Sequence, residues 1–186
     1  MSANPRSGLR RDAAVNRQRL LEAARHLFAE RGPDVALEEV AAAAGVSRTT
    51  LYRNFETREQ LVAAVYESAV ELMELRAKEL ADRPTGVVEL FDFVLDLQRA
   101  NRSLVRVLAG ADISWFEGLA ERTVHAFEAV LVRGRAGGVV HAGVGMAEIF
   151  LALQMAEGAM AQNERAGRER WDERIREMLH RALFVA

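Results

Sequence analysis

Between Arg48 and Asn54 the chain reads RTTLYRN, and six of these seven residues share one kind of chemistry. Arg48 and Arg53 carry planar guanidinium forks of the type that grip guanine O6 and N7 together. Thr49, Thr50, Tyr52 and Asn54 add hydroxyl and amide groups and one aromatic ring, and no acid interrupts the run. Leu51 and Phe55 lie four residues apart, so a helix here turns those two inward and leaves the other six outward. A polar, cationic and aromatic helical face of this kind suits the major groove of double-stranded DNA.

The flanking residues are those needed to position such a helix. Leu37, Val40 and Ala41 share one helical face, which makes LEEVAAAA a short amphipathic helix. Gly45 ends it, because glycine accepts the positive φ of a tight corner. Val46 follows as an apolar plug, and Ser47 is placed to cap the next helix by accepting from its orphan N–H groups. Helix, glycine turn and polar-faced helix form a helix-turn-helix pattern. An ordinary helical hairpin with a solvated face is the competing reading; the short turn and the acid-free outer face weigh against it.

Upstream, Leu20, Leu21, Ala24, Leu27 and Phe28 recur at threes and fours, which predicts a helix from about Asp12 to Arg31, stopped by Gly32-Pro33. It packs on the pair and completes a three-helix head. Residues 1–12, with Arg6, Arg10 and Arg11 beside Pro5 and Gly8, show no period and read as a mobile arm. That arm either adds phosphate or minor-groove contacts or remains a solvated tail.

From Arg19 to Val65 the chain resembles the DNA-binding region of the TetR family of transcriptional regulators. The residues that carry the resemblance are Leu21, Ala24, Leu27, Phe28, Gly32, Val40, Ala41, Ala44, Gly45, Val46, Ser47, Leu51, Tyr52, Phe55, Glu59 and Leu61. The resemblance implies that Thr50 and Tyr52 hold phosphates, leaving Arg48 and Arg53 as the base-reading candidates. It also implies a phosphate contact for Arg58, at a position where the family often has Lys. Ala36 departs from the pattern, since family members often carry Thr or Ser there; Asp34 or the Glu38–Glu39 pair is placed to compensate at the helix N-terminus.

With 186 residues, half of them hydrophobic, and no long apolar run, the chain is globular and does not span a membrane. Its N-terminus lacks a signal-peptide core, so a cytoplasmic location is expected. The absence of Cys excludes disulfides and thiolate metal sites. The net charge of −2 looks wrong for a DNA binder until the chain is divided. Residues 1–60 hold ten Arg against eight acids, and the remainder fifteen Lys or Arg against nineteen acids.

Beyond the head everything reads as helix. Thr57-Arg-Glu-Gln60 is a capping-box sequence opening a helix to about Asp82. Residues from Thr85 to about Ala100 are apolar nearly all round, which places that helix at the centre of a bundle. A short helix from Ser103 to Ala109 follows, then one opened by Ser114-Trp-Phe-Glu117 and running to about Arg133. After a glycine-rich loop from Gly134 to Gly145, helices are expected over about Met146–Ala166 and Arg170–Phe184. The fold class is therefore all-α, about nine helices, with a helix-turn-helix domain over residues 1–56 and a larger helical effector-binding and dimerisation domain over 57–186. The whole architecture also resembles the TetR family.

Catalysis has little to stand on. His26, His125, His141 and His180 are scattered without metal spacing, and no nucleophile elbow or phosphate-cradling glycine loop is present. No enzyme activity, cofactor or metal is expected. An apolar effector pocket is expected among the helices from Thr57, Thr85 and Ser114, lined by Tyr66, Val70, Met73, Phe91, Leu95, Trp115, Leu119 and Phe127. Asn101, Asp112 and His125 are its candidate polar contacts; a solid core made by the same residues is the competing reading. A two-fold homodimer is expected through Ala152, Ala156, Ala159, Ile175, Leu179 and Leu183, which implies a near-palindromic operator. The functional expectation is a dimeric repressor released from DNA when a small, mostly apolar ligand shifts the tilt of the helix from Thr57. The alternative is a helix-turn-helix regulator or activator whose second domain only dimerises or binds a protein partner.

Overall fold

The computed structural model describes residues 5–101, 104, 107–110, 113–165 and 171–185. Eight α-helices and one 3₁₀ turn are present among them: α1 (Pro5–Arg31), α2 (Leu37–Ala43), α3 (Arg48–Asn54), α4 (Arg58–Leu80), α5 (Gly86–Asn101), the turn Val107–Gly110, α6 (Ile113–Ala136), α7 (Met146–Arg165) and α8 (Trp171–Leu183). The all-α expectation holds. The only extended pairing among the described residues is an isolated antiparallel bridge between Val140 and Phe184.

The residues divide into two compact units. One comprises residues up to 68 together with 103–110; the other comprises 69–102 and 111–186. The division falls inside α4, so one uninterrupted helix contributes to both.

In the first unit α1, α2 and α3 pack on one another. Leu20, Ala24, Phe28, Val40, Ala41, Leu51 and Phe55 are buried there, so the three-and-four spacing read from the sequence is the spacing of the core face. One expectation is corrected. Residues from Pro5 to Asp12, read as part of a mobile arm, are the opening turns of α1. Pro5 stands at the first helical position, where a missing N–H costs nothing and the fixed φ favours the helix. It starts the helix instead of breaking it.

In the second unit α5 lies among α6, α7 and α8, and α7 packs along α8. Val87, Leu90, Phe91, Val94 and Leu95 of α5 are buried, which is why so little of that helix is polar. The crossing of α5 and α6 is close: a Cβ on Gly134 would stand 2.5 Å from Val87 Cγ1. Gly134 therefore belongs to the helix, and α6 runs to Ala136 before the loop begins. α6 also begins at Ile113, so Ser114 lies within the helix and is not its cap. Charged contacts tie helices of this unit. Arg122 of α6 meets Glu74 of α4 through Nε–Oε1 at 2.7 Å and Nη2–Oε2 at 2.8 Å. Asp92 of α5 accepts from Arg176 Nη1 and lies against His180 Nε2, both of α8, each at 2.8 Å.

Candidate nucleic-acid interface

The turn between α2 and α3 is built by hydrogen bonds that the sequence permits at one residue only. Gly45 N–H donates to Ala42 O at 3.1 Å and Val46 N–H to Ala41 O at 3.0 Å, the paired closure of a Schellman motif. It requires a left-handed residue at Gly45, whose φ is +66°. Ser47 then takes up one orphan donor of α3, its Oγ accepting from Thr50 N–H at 3.1 Å. Ala36 caps α2 with no side chain. Glu39 compensates from inside the helix: Arg31 Nη1 at 2.6 Å and the Ala36 backbone N–H hold its carboxyl below the usual carboxylate range.

Leu51 and Phe55 are buried and fix the roll of α3. The outward residues then separate into two groups. Arg48, Thr49, Tyr52 and Arg53 are exposed. Thr50 and Asn54 are only half-exposed: the Thr50 hydroxyl lies 2.9 Å from Ser47 Oγ, and Asn54 Nδ2 donates to Thr50 O at 2.8 Å. These two side chains brace the helix they stand on.

Arg58 is placed differently from the expectation. Its Nη1 donates to the carbonyl oxygens of Pro33 and Val35, the latter at 2.7 Å, and the side chain is part-buried. The guanidinium clasps the α1–α2 connection, where both acceptor residues are buried. Two contacts lie beyond sequence reasoning. Glu38 of α2 lies 2.6 Å from Arg48 Nη2 and accepts from the Tyr52 hydroxyl at 3.5 Å, so one carboxylate addresses two residues of the outward face. Arg17 of α1 stacks its guanidinium over the Phe55 ring, 4.5 Å from the centroid. Neither pair has a local sequence signature, because both depend on how the helices cross.

Residues 20–65 match the family described as bacterial regulatory proteins, tetR family. The head of this chain is a TetR-family head. An HTH-type transcriptional regulator of Staphylococcus aureus is 28% identical over 105 residues, which are 54% of this chain and 57% of that protein. The chain thus aligns with little more than half the length of that relative. Across the fold, the crystal structure of a TetR transcription regulatory protein from Mycobacterium vanbaalenii is 28% identical, with 95% of this chain and 99% of that one covered at a TM-score of 0.74. SmeT, the repressor of the Stenotrophomonas maltophilia multidrug efflux pump SmeDEF, shares the fold at 18% identity and a TM-score of 0.60, with 91% of this chain and 90% of SmeT covered. The relatives and solved structures that match are HTH-type or TetR transcriptional regulators. No described helix is long and apolar enough to cross a membrane.

The remaining anticipated residues lie as follows. Val70, Met73, Leu95, Leu119 and Phe127 are buried, and Trp115 is half-buried. Phe91 is fully buried, with its ring edge-on to His180 and Phe184 at centroid distances of 6.1 and 5.5 Å. Its ring is engaged with α8 and the residue after it. Tyr66, half-buried, belongs to the first unit. His125 is 86% exposed and paired with Glu128, so it is a surface residue and no pocket contact. Asn101 is buried, and Asp112 lies outside the described residues. Among the residues anticipated at the dimer interface, Ala152, Ala156 and Leu183 are buried within the chain itself. Packing inside the chain, where α7 meets α5, α6 and α8, already occupies them. Ala159, Ile175 and Leu179 are half-buried, whereas Leu151, Met155 and Met178 of the same two helices are exposed.

Proposed function

We propose that the protein is a two-fold dimeric repressor that holds a near-palindromic operator and leaves it when a small, mostly apolar ligand binds. The observation that carries the DNA half is the α3 surface. Arg48, Thr49, Tyr52 and Arg53 stand exposed on a helix capped by Ser47 and rolled into place by Leu51 and Phe55. Such a helix enters the major groove, with arginines reading guanine and hydroxyls holding phosphate.

Dimerisation is supported by an apolar surface on two helices that already pack together. Leu151 and Met155 stand one turn apart on α7, Met178 stands on α8, and both methionines are 59% exposed. Two-fold pairing there relates two heads to half-sites whose centres lie about 34–36 Å apart, or a multiple of that. The effector half is supported by the large side chains of α5 and α6 and by SmeT, which shares this fold and has been solved as a triclosan complex. Release is a population shift, so the ligand must favour the DNA-incompetent state by several kcal/mol.

Selection of binding sites from random DNA with purified protein tests the reading. The expected product is an inverted repeat, bound by a species of dimeric mass in sedimentation. Met155→Glu should give a monomer that binds half-sites weakly. A monomeric wild-type protein at micromolar concentration, or a selected motif without two-fold symmetry, would overturn it.

A further inference from the structure

We propose that α5 and α7 form a subsite for an organic ammonium ion, made by Gln98 Oε1 and the Glu157 carboxylate. The inference rests on the effector reading above and gives the effector a chemical class.

Gln98 reaches from α5 to α7, where its Nε2 donates to the Leu153 carbonyl oxygen at 3.2 Å. That carbonyl accepts only a donor, so the orientation of the amide is set, and Oε1 points elsewhere. Oε1 is buried and has no hydrogen-bond partner among the described residues. A buried acceptor left without a donor costs about 1–3 kcal/mol. A group that supplies an N–H recovers that loss.

Glu157 stands one turn beyond Leu153 on α7. A helical side chain leans back over the turn before its own Cα, so the register of α7 sets Glu157 on the turn that Gln98 touches. It is half-buried, no described residue pairs with it, and burial pushes its pKa up. A carboxylate without a described partner in such a place gains from a cation that brings its own donors. Asn101, buried one turn beyond Gln98 on α5, spends an amide N–H on Leu97 O at 2.8 Å. Leu153, Ala156 and Met160 are buried on the same helix as Glu157.

The chemistry narrows the ligand. Two acceptors repel anions. A divalent metal needs more hard ligands than these, and no cluster of three carboxylate or imidazole groups exists among the described residues. An ammonium with N–H donors on an apolar body satisfies both the orphan amide oxygen and the carboxylate.

Calorimetry of the full chain with octylammonium and with 1-octanol tests this, since the two probes share one apolar body. The wild type should prefer octylammonium by about tenfold or more, the scale of one charge-assisted hydrogen bond. Glu157→Gln should abolish that preference and leave octanol binding unchanged, with a thermal melt reporting the fold. Gln98→Leu should weaken octylammonium more than 1-octanol, whose single O–H can make only a neutral hydrogen bond to Oε1. Equal affinity of the two probes for wild type, or a preference that survives Glu157→Gln, overturns the subsite. The operator complex separates this from the release reading. Glu157-dependent binding that leaves the operator bound sustains the subsite and removes the release mechanism. Operator release by octanol with no ammonium preference does the reverse.

Discussion

Arg58→Ala distinguishes a clasp from a phosphate contact. Family resemblance assigns this arginine to the DNA backbone; its loss would then lower the log–log salt slope of binding by about 0.9 and leave the fold alone. The structure gives Nη1 two carbonyl acceptors, Pro33 O and Val35 O, in a part-buried setting. A hydrogen bond to a charged group contributes about 1.5–3 kcal/mol. Both bonds here share one nitrogen on a half-exposed side chain, so a combined loss of about 2 kcal/mol is the better figure. At about 2–4 °C per kcal/mol for a chain of this size, the midpoint should fall by roughly 4–8 °C. Differential scanning fluorimetry reads the melt, and fluorescence anisotropy at several salt concentrations reads the slope. Arg53→Ala, on the exposed face of α3, is the control that should reduce DNA binding without moving the melt. An Arg58→Ala protein that melts with wild type and loses about one unit of slope would refute the clasp.

Three further outcomes are expected. Glu38→Gln frees Arg48 and removes a carboxylate from the reading face, so binding to random DNA should tighten and the ratio of specific to random affinity should fall; competition with random duplex measures it, and an unchanged ratio would exclude the role given to Glu38. Arg122 holds the Glu74 carboxyl below its ordinary range, so this pair stabilises the fold above the unfolded carboxylate pKa of about 4.3 and is lost as pH falls through the lower folded value. Glu74→Gln should therefore lose less stability than wild type between pH 6 and pH 3 in urea titrations. Gly134→Ala sets a methyl 2.5 Å from Val87 Cγ1 and should cost about 1–3 kcal/mol by overpacking. The double variant with Val87→Ala should recover part of that in a melt, and strict additivity would place the strain elsewhere.

What could be read from the sequence is what neighbouring residues decide among themselves. Gly45 and Ser47 announced the turn because a left-handed corner and an N-cap need those residue types. Leu51 and Phe55 set the roll of α3 by spacing alone, and the polarity of α5 placed it at the centre of its unit. Pro5 is ambiguous in sequence, because the same ring that breaks a helix interior favours its first turn. Arg58 and Glu38 were illegible for another reason: their partners lie 25 and ten or more residues away, across a loop and a helix crossing. Ala152 and Ala156 show a third limit. Small residues mark close helix approach, yet the mark is the same whether the neighbour is the next helix or a second chain.

The contacts of Phe91 have a consequence for synthesis. Its ring is covered by His180 and Phe184, and the Val139–His141 segment is closed by hydrogen bonds to Leu183 O and from Val185 N–H. At about 5–20 residues per second, the ribosome needs several seconds to pass from Phe91 to Phe184. Throughout that interval the α1–α3 head can already be folded, while the largest apolar face of α5 waits for the end of the chain. Premature termination just before α8 would leave that face open permanently. A nascent or truncated copy of this regulator is therefore a natural client for chaperones, and deletions at its C-terminus should surface as insolubility before any defect in DNA binding can be measured.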